Sequence, residues 1–372
     1  MDLTIIDNII QKGIASGLFP GAALGLVIQN MSPLKRFYGR HTFTPWSRSI
    51  DSYSLFDLAS LTKPLCTTMA TALLVQRGLI DLRQSLKDFF PFVARDKAKI
   101  TIQHLLTHSS GLKPWMPLYK YLYEKALKVP DSPLDFVCKI ILNAPLFFKT
   151  GQKAIYSDLG FILLAQIIQL RSGLELWSFV KRDLFDPLGL SCIGSYHEQR
   201  EFLAPFVPTG VCPFRKRMCW GEVNDLNAWA IGGMPGHAGL YSCLDDLLVL
   251  LRAIMDCCLG RKVAGWTINQ STLDLFVNYR AEHPSINWAL GFDRPSLRSS
   301  SCGHFFSRNS IGHLGYTGTS FWIDLDAGVI VVFLSARTFP FDKPEDKEKM
   351  KSLRIALHNE IRKLTHSITK AG

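Results

Sequence analysis

The chain has 372 residues, 47% hydrophobic and 20% charged, with a formal net charge of +11. That composition supports one large domain or two intimately packed ones, and it excludes wholesale disorder. The basic residues gather only at Arg215-Lys216-Arg217 and in a mixed-sign tail from Lys343 to Lys370, without zinc-finger spacing or an aromatic–basic RNA signature, so the excess reads as a solvated surface compatible with anionic substrates rather than as nucleic-acid binding.

In chain order, Leu3 to Ser16 has helical apolar spacing and is ended by Gly17, Pro20 and Gly21. Ala22 to Ile28 reads as a buried strand, with Phe37-Tyr38-Gly39 as its hairpin partner. Leu65 to Arg77 lacks glycine and proline and predicts a helix capped by Gly78. Thr101 announces another, with Ile102, Leu105 and Leu106 on one face and Gly111 at its end. Further helices are predicted from Pro133 to Asn143, Asp158 to Ser172, Trp177 to Leu184 and Asp245 to Leu259. Gly318 to Ile323 and Gly328 to Ala336 are β-rich runs flanking a turn, and Lys347 to Leu364 closes the chain as a helix.

Strands at both ends and helices in the middle predict an α/β (α+β) fold. One antiparallel sheet is assembled from both termini and flanked by terminal helices, with a mainly helical insert and a cleft between the two. The expected division is 1–58 with 232–372 for the sheet domain and 59–231 for the helical one. The nine cysteines are scattered without a C-x-x-C pair and read as reduced core thiols. The start carries Asp2 and Asp7 rather than a basic segment followed by an apolar run. The most apolar stretch, Phe161 to Leu170, falls short of the roughly 20 residues a membrane span needs. As it stands the sequence reads as cytoplasmic, or periplasmic if a leader was removed.

Three constellations carry chemistry. In Ser60-Leu61-Thr62-Lys63, opening a helix, serine and lysine share a face, so a desolvated amine can reach the hydroxyl and withdraw its proton. The same spacing recurs elsewhere, and the context Phe56-Asp57-Leu58-Ala59 before it and Pro64 after it sets this copy apart. Tyr156-Ser157-Asp158 stands at the entry of an apolar helix, where a tyrosine serves as general acid or base and Asp158 as a helix cap. His313-Leu314-Gly315-Tyr316 enters a strand, where glycine admits a substrate backbone and a strand N–H offers one arm of an oxyanion hole. His237 lies in a glycine-rich loop and is a candidate cleft residue, whereas His104 and His108 read as structural. No His/Asp/Glu grouping has metal spacing and no G-x-S-x-G elbow is present, so no metal or other cofactor is expected.

In this order the three motifs resemble S-x-x-K, Y-x-N and K-T-G (or H-x-G) of the penicillin-recognising serine hydrolases. Thr101 to Gly111 and Gly236 to Ser242 resemble further stretches of the class C β-lactamase branch, and the likeness runs from about Pro20 to Arg337. The resemblance implies the serine β-lactamase/DD-peptidase-like fold and acyl-enzyme chemistry on a D-alanyl peptide, a β-lactam or a small ester. Ser60 would be the nucleophile, Lys63 and Tyr156 its proton-transfer partners, and the N–H groups of Ser60 and Tyr316 the oxyanion hole. Asp158, His313, Gly315 and His237 would meet the substrate. Asp158 stands where the family has asparagine and His313 where it has lysine, so a fixed charge becomes one present only part of the time near neutrality. The alternative is a member that binds peptidoglycan fragments or β-lactams without turnover; the intact Ser60/Lys63/Tyr156 set argues against it.

Overall fold

Successive residues of a strand face opposite sides, and the run Gly21–Ile28 is apolar on both, so it belongs between two layers. The computed structural model describes residues 2–29, 31–125, 131–195, 205–296 and 300–371. In it this strand, β1 (Gly21–Ile28), is buried throughout. β2 (Leu34–Gly39) pairs with one edge of β1. On the other edge lie three strands from the far end of the chain: β3 (Ile311–Leu314), β4 (Ser320–Asp324) and β5 (Val329–Ser335). The sheet is antiparallel in the order β2-β1-β5-β4-β3, which leaves β3 as an outer strand.

Ala22, Leu24, Leu26 and Ile28 join Val331, Phe333 and Trp322 beneath the two terminal helices, Thr4–Ala15 and Glu345–Ala371. Ala23, Val27, Ile330, Val332 and Leu334 face the helix Leu244–Cys258. That helix rides directly on β1: a Cβ on Gly25 would lie 2.8 Å from Leu248 and 2.9 Å from Leu244. The same apolar cluster continues into the insert, whose central helix Asp158–Ser172 is buried from Leu159 to Ile168. A helix buried on every side has no polar face.

The segment from Ser60 is not one regular helix. A 3₁₀ turn, Ala59–Leu61, and a π turn, Lys63–Thr68, precede the α-helix Met69–Gln76, because Pro64 has no N–H to give to the ladder. The Thr101 helix spans only Ile102–Leu106 and ends before Gly111, with His108 at φ 55°. Leu176–Val180 runs on into a π turn, Lys181–Phe185. A small sheet of Phe56–Asp57, Leu240–Ser242 and Gly194–Ser195 backs the Ser60 turn; its strands are too short to leave a periodic signal.

Candidate active site

Ser60 stands on the 3₁₀ turn that follows Phe56–Asp57. Ala59, just before it, has φ 47°, a conformation that costs an L residue about 1–2 kcal/mol. Buried polar groups hold it there. Asp57 accepts the N–H of Ala59 on Oδ1 (2.8 Å) and that of Asn224 on Oδ2 (2.7 Å). Burial pushes the Asp57 carboxyl up to about 6 against the pull of those two N–H groups. Thr62 Oγ1 donates to Ala59 O (2.6 Å) and accepts the N–H of Leu240 (3.2 Å). The turn is therefore fixed by the small sheet behind it.

Lys63 is fully buried, and its Nζ lies 3.0 Å from Ser60 Oγ, 3.0 Å from His237 O and 2.7 Å from Asp158 Oδ1. Burial acts to lower the lysine pKa, but Asp158 and Tyr156 more than offset it and hold the group above its ordinary value. The resting site thus contains an ammonium, not the ready base that desolvation alone implies. Asp158 departs from expectation as well. Its carboxylate, which borders the cleft, is the counter-ion of Lys63, and the helix N-cap is Ser157, whose Oγ donates to Lys113 O (2.7 Å). Lys63 Nζ lies 4.8 Å from the centre of the Tyr156 ring. The Tyr156 hydroxyl is buried without a well-formed hydrogen bond; burial raises its pKa, while Lys63 and Ser60 pull it down.

Three rings enclose Tyr156. His108 is centred 4.5 Å from it and Trp288 5.9 Å, and His313 lies 5.9 Å away on a third side. His108 Nδ1 accepts the N–H of Ser157 (3.1 Å), and burial holds its pKa well below the ordinary value. Contact with Tyr156 makes His108 part of the site, which its place after the Thr101 helix did not suggest; the contact spans a loop and has no sequence period. His313 Nδ1 donates to Leu314 O (2.9 Å), leaving a buried lone pair on Nε2 without a partner. Burial, aided by the charge of Lys63, pushes His313 down to about 3. The expected part-time cation is a neutral acceptor.

Gly315 borders the cleft, but its need for glycine arises within the protein: a Cβ there would lie 2.0 Å from Thr319 Oγ1 and 2.7 Å from Leu58 O. The His237 side chain is buried against Asp225 (Nε2 to Oδ1, 2.8 Å), so it serves Lys63 through its carbonyl. Ser60, Tyr156 and Tyr316 border two cavities at once, of about 490 and 480 Å³. The first is walled by Arg294, Arg337, Lys347, Lys351 and Arg354, the second by Trp115, Val211, Pro213, Asp225 and Leu226. Arg337 is paired with Asp342 (2.8 Å). Arg354 is buried, donates to Thr319 O (2.8 Å), leaves Nε unpartnered and has no carboxylate partner among the described residues. Burial and the charge of Arg337 both act against its cationic form.

The Beta-lactamase family model matches residues 6–354. The chain belongs to the beta-lactamase family. It is 32% identical over 348 residues to the N-acetylmuramyl-L-alanine amidase of Bacillus subtilis (strain 168), covering 86% of this chain and 77% of that protein. It is 26% identical over 359 residues to a putative D-alanyl-D-alanine carboxypeptidase of Salmonella enteritidis PT4, covering 89% and 82%. Among solved structures, the D-amino acid amidase of Ochrobactrum anthropi SV3 superposes with a TM-score of 0.72 at 19% identity, covering 97% of this chain and 98% of that one. Simvastatin synthase of Aspergillus terreus does so with 0.70 at 18% identity, covering 97% and 99%. This beta-lactamase-family chain is a serine hydrolase with the serine β-lactamase-like fold.

Proposed function

We propose that the protein cleaves the amide bond next to a carboxylate-bearing residue in a D-alanyl or related cell-wall peptide, through an acyl-enzyme on Ser60. One juxtaposition carries the reading: a serine 3.0 Å from a buried lysine opens onto a cavity walled by five cationic side chains, one of them a buried arginine with no carboxylate partner among the described residues. A buried guanidinium gains more from an incoming carboxylate than an exposed one does. The amidase and carboxypeptidase names of the relatives support amide chemistry.

Ser60 Oγ adds to the carbonyl carbon as its proton passes to Lys63, which hands one to Asp158. The N–H groups of Ser60 and Tyr316 hold the oxyanion. The C–N bond breaks as Tyr156 protonates the leaving nitrogen, Tyr156 recovers its proton from Lys63, and Lys63 recovers one from Asp158. Water then adds to the ester carbonyl as its proton passes to the same relay, the C–Oγ bond breaks, Ser60 takes that proton back and the carboxylic acid leaves. Neutral His313 offers its unpartnered Nε2 beside Tyr156 as an acceptor for a substrate N–H and supplies no charge. β-Lactams and simple esters are acyl donors to the same serine.

The test is intact-mass analysis of wild type and Ser60→Ala after a penicillin or a fluorophosphonate, with turnover of a D-alanyl-D-alanine peptide and its C-terminal amide. Adducts on wild type alone, and faster turnover of the free acid, are expected. An adduct on Ser60→Ala overturns the nucleophile. Equal turnover of acid and amide overturns the role given to the basic wall.

A further inference from the structure

We infer that Cys192, Cys243 and Asp246, which lie outside the Ser60 cleft, form a binding site for a thiophilic divalent cation of the Zn²⁺ type. The small sheet brings the sulfurs together. Gly194 pairs with Tyr241 and Ser195 with Leu240, antiparallel. Continuing that register two residues places Cys192 opposite Cys243, on one face. Cys243 is also the N-cap of Leu244–Cys258, so Asp246 lies in the first turn of the same helix. Asp246 Oδ2 accepts the N–H groups of Cys192 (2.6 Å) and Ile193 (2.9 Å), which draws the carboxylate onto the cysteine segment.

The outcome is two sulfurs and one carboxylate oxygen all within 4.8 Å of one another. Bonds of about 2.3 Å to sulfur and about 2.0–2.2 Å to oxygen place the ligands of a tetrahedral ion about 3.5–3.8 Å apart, so uptake needs a contraction of at most about 1 Å. The carboxylate is already oriented by two backbone N–H groups, the outer support that metal ligands commonly have. Cys243 is buried whereas Cys192 and Asp246 are partly exposed, which leaves the fourth position to water. Two sulfurs select a soft ion over Mg²⁺ or Ca²⁺. The ion binds thiolates, so uptake releases protons and strengthens as pH rises. Once bound, it ties the segment before Gly194 to the strand Leu240–Ser242, and Leu240 bonds Thr62 beside the nucleophile. The site is therefore structural, stiffening the support behind Ser60.

The full-length protein, reduced and freed of metal, is titrated with Co²⁺. One equivalent should produce the visible bands of a tetrahedral ion and a thiolate-to-cobalt charge-transfer band, both abolished by Zn²⁺. Cys192→Ser and Cys243→Ser should each roughly halve the charge-transfer band per bound ion and weaken Zn²⁺ binding by roughly 100-fold, and the double variant should lose the band; Asp246→Asn should weaken binding by roughly 10–100-fold. Fluorophosphonate labelling of Ser60 should persist in Cys192→Ser, which separates loss of the ion from loss of fold. No cobalt binding, binding without the thiolate band, or undiminished affinity in Cys192→Ser overturns the proposal. So does spontaneous formation of a Cys192–Cys243 disulfide that mild thiols do not reduce, since the pair is then a structural cross-link.

Discussion

An aspartate at position 158 changes what its lysine can do. With asparagine there, Lys63 would keep the penalty of burial and lose its nearest anion, and its pKa would fall; with aspartate, the pair rests as ammonium and carboxylate at 2.7 Å. On the proposed route the proton leaving Ser60 passes through Lys63 and rests on Asp158. Asp158→Asn should therefore move the acidic limb of the pH profile for Ser60 acylation to lower pH, by about 1–3 units, because less alkali is needed to free the amine. It should also lower the plateau rate. The check is the second-order rate of fluorophosphonate labelling across pH; an unmoved limb would give the base role to Tyr156. Ser60, Lys63 and Tyr156 were legible in the sequence because a helical spacing and motif order carry them. The neutral state of His313 and the contact of His108 with Tyr156 were not, since both depend on what the fold packs around each ring.

Elements long enough to show a period were legible: the terminal helices, β1, β4, β5 and the buried helix Asp158–Ser172. The three pieces of the small sheet were not, because strands of two or three residues have no alternation to read. Yet those pieces hold the Ser60 turn, and the loop leading into one of them locks the insert. Gly236 accepts Thr67 Oγ1 on its carbonyl (2.6 Å), the next carbonyl is the one bound to Lys63, and φ at Gly236 is 96°. A Cβ at that position would lie 2.3 Å from Phe161 O and 2.9 Å from Ala165 Cβ, both on the helix that begins with Asp158. Backbone cannot swing aside as a side chain does, so Gly236→Ala must push the helix or the loop. It should cost on the order of 3 kcal/mol in urea unfolding, from the strained φ and the overpacking together. It should also slow Ser60 labelling in the fraction that remains folded, because Asp158 and the His237 carbonyl move relative to Lys63. Wild-type stability in this variant would show that the loop is not the lock.

At the scale of the molecule, the C-terminal helix both covers the sheet and supplies cations to the cleft. Met350 and Leu357 enter the core under the sheet, while Lys347, Lys351 and Arg354 reach the basic cavity. Docking of this helix and readiness of the site are therefore one event. His358 lies one turn beyond Arg354, buried, with Nδ1 donating to Ser301 O (2.7 Å) and Nε2 unpartnered. Burial, with the charge of Arg354, pushes His358 down to about 4. The unfolded chain takes up that proton near its ordinary value of 6.5 while the folded one refuses it. Between these limits the unfolded state binds more protons, so stability rises with pH and is lost as pH falls from 6.5 toward 4. At about 1.4 kcal/mol per pH unit the loss from this group reaches roughly 3 kcal/mol. His358→Gln has nothing to titrate there. Urea unfolding of wild type and variant should show a gap at pH 7 that narrows by about that amount on approaching pH 4, because every other titrating group is common to both. A gap independent of pH would mean that His358 takes up its proton as readily folded as unfolded, leaving two cations side by side in acid in the helix that closes the cleft.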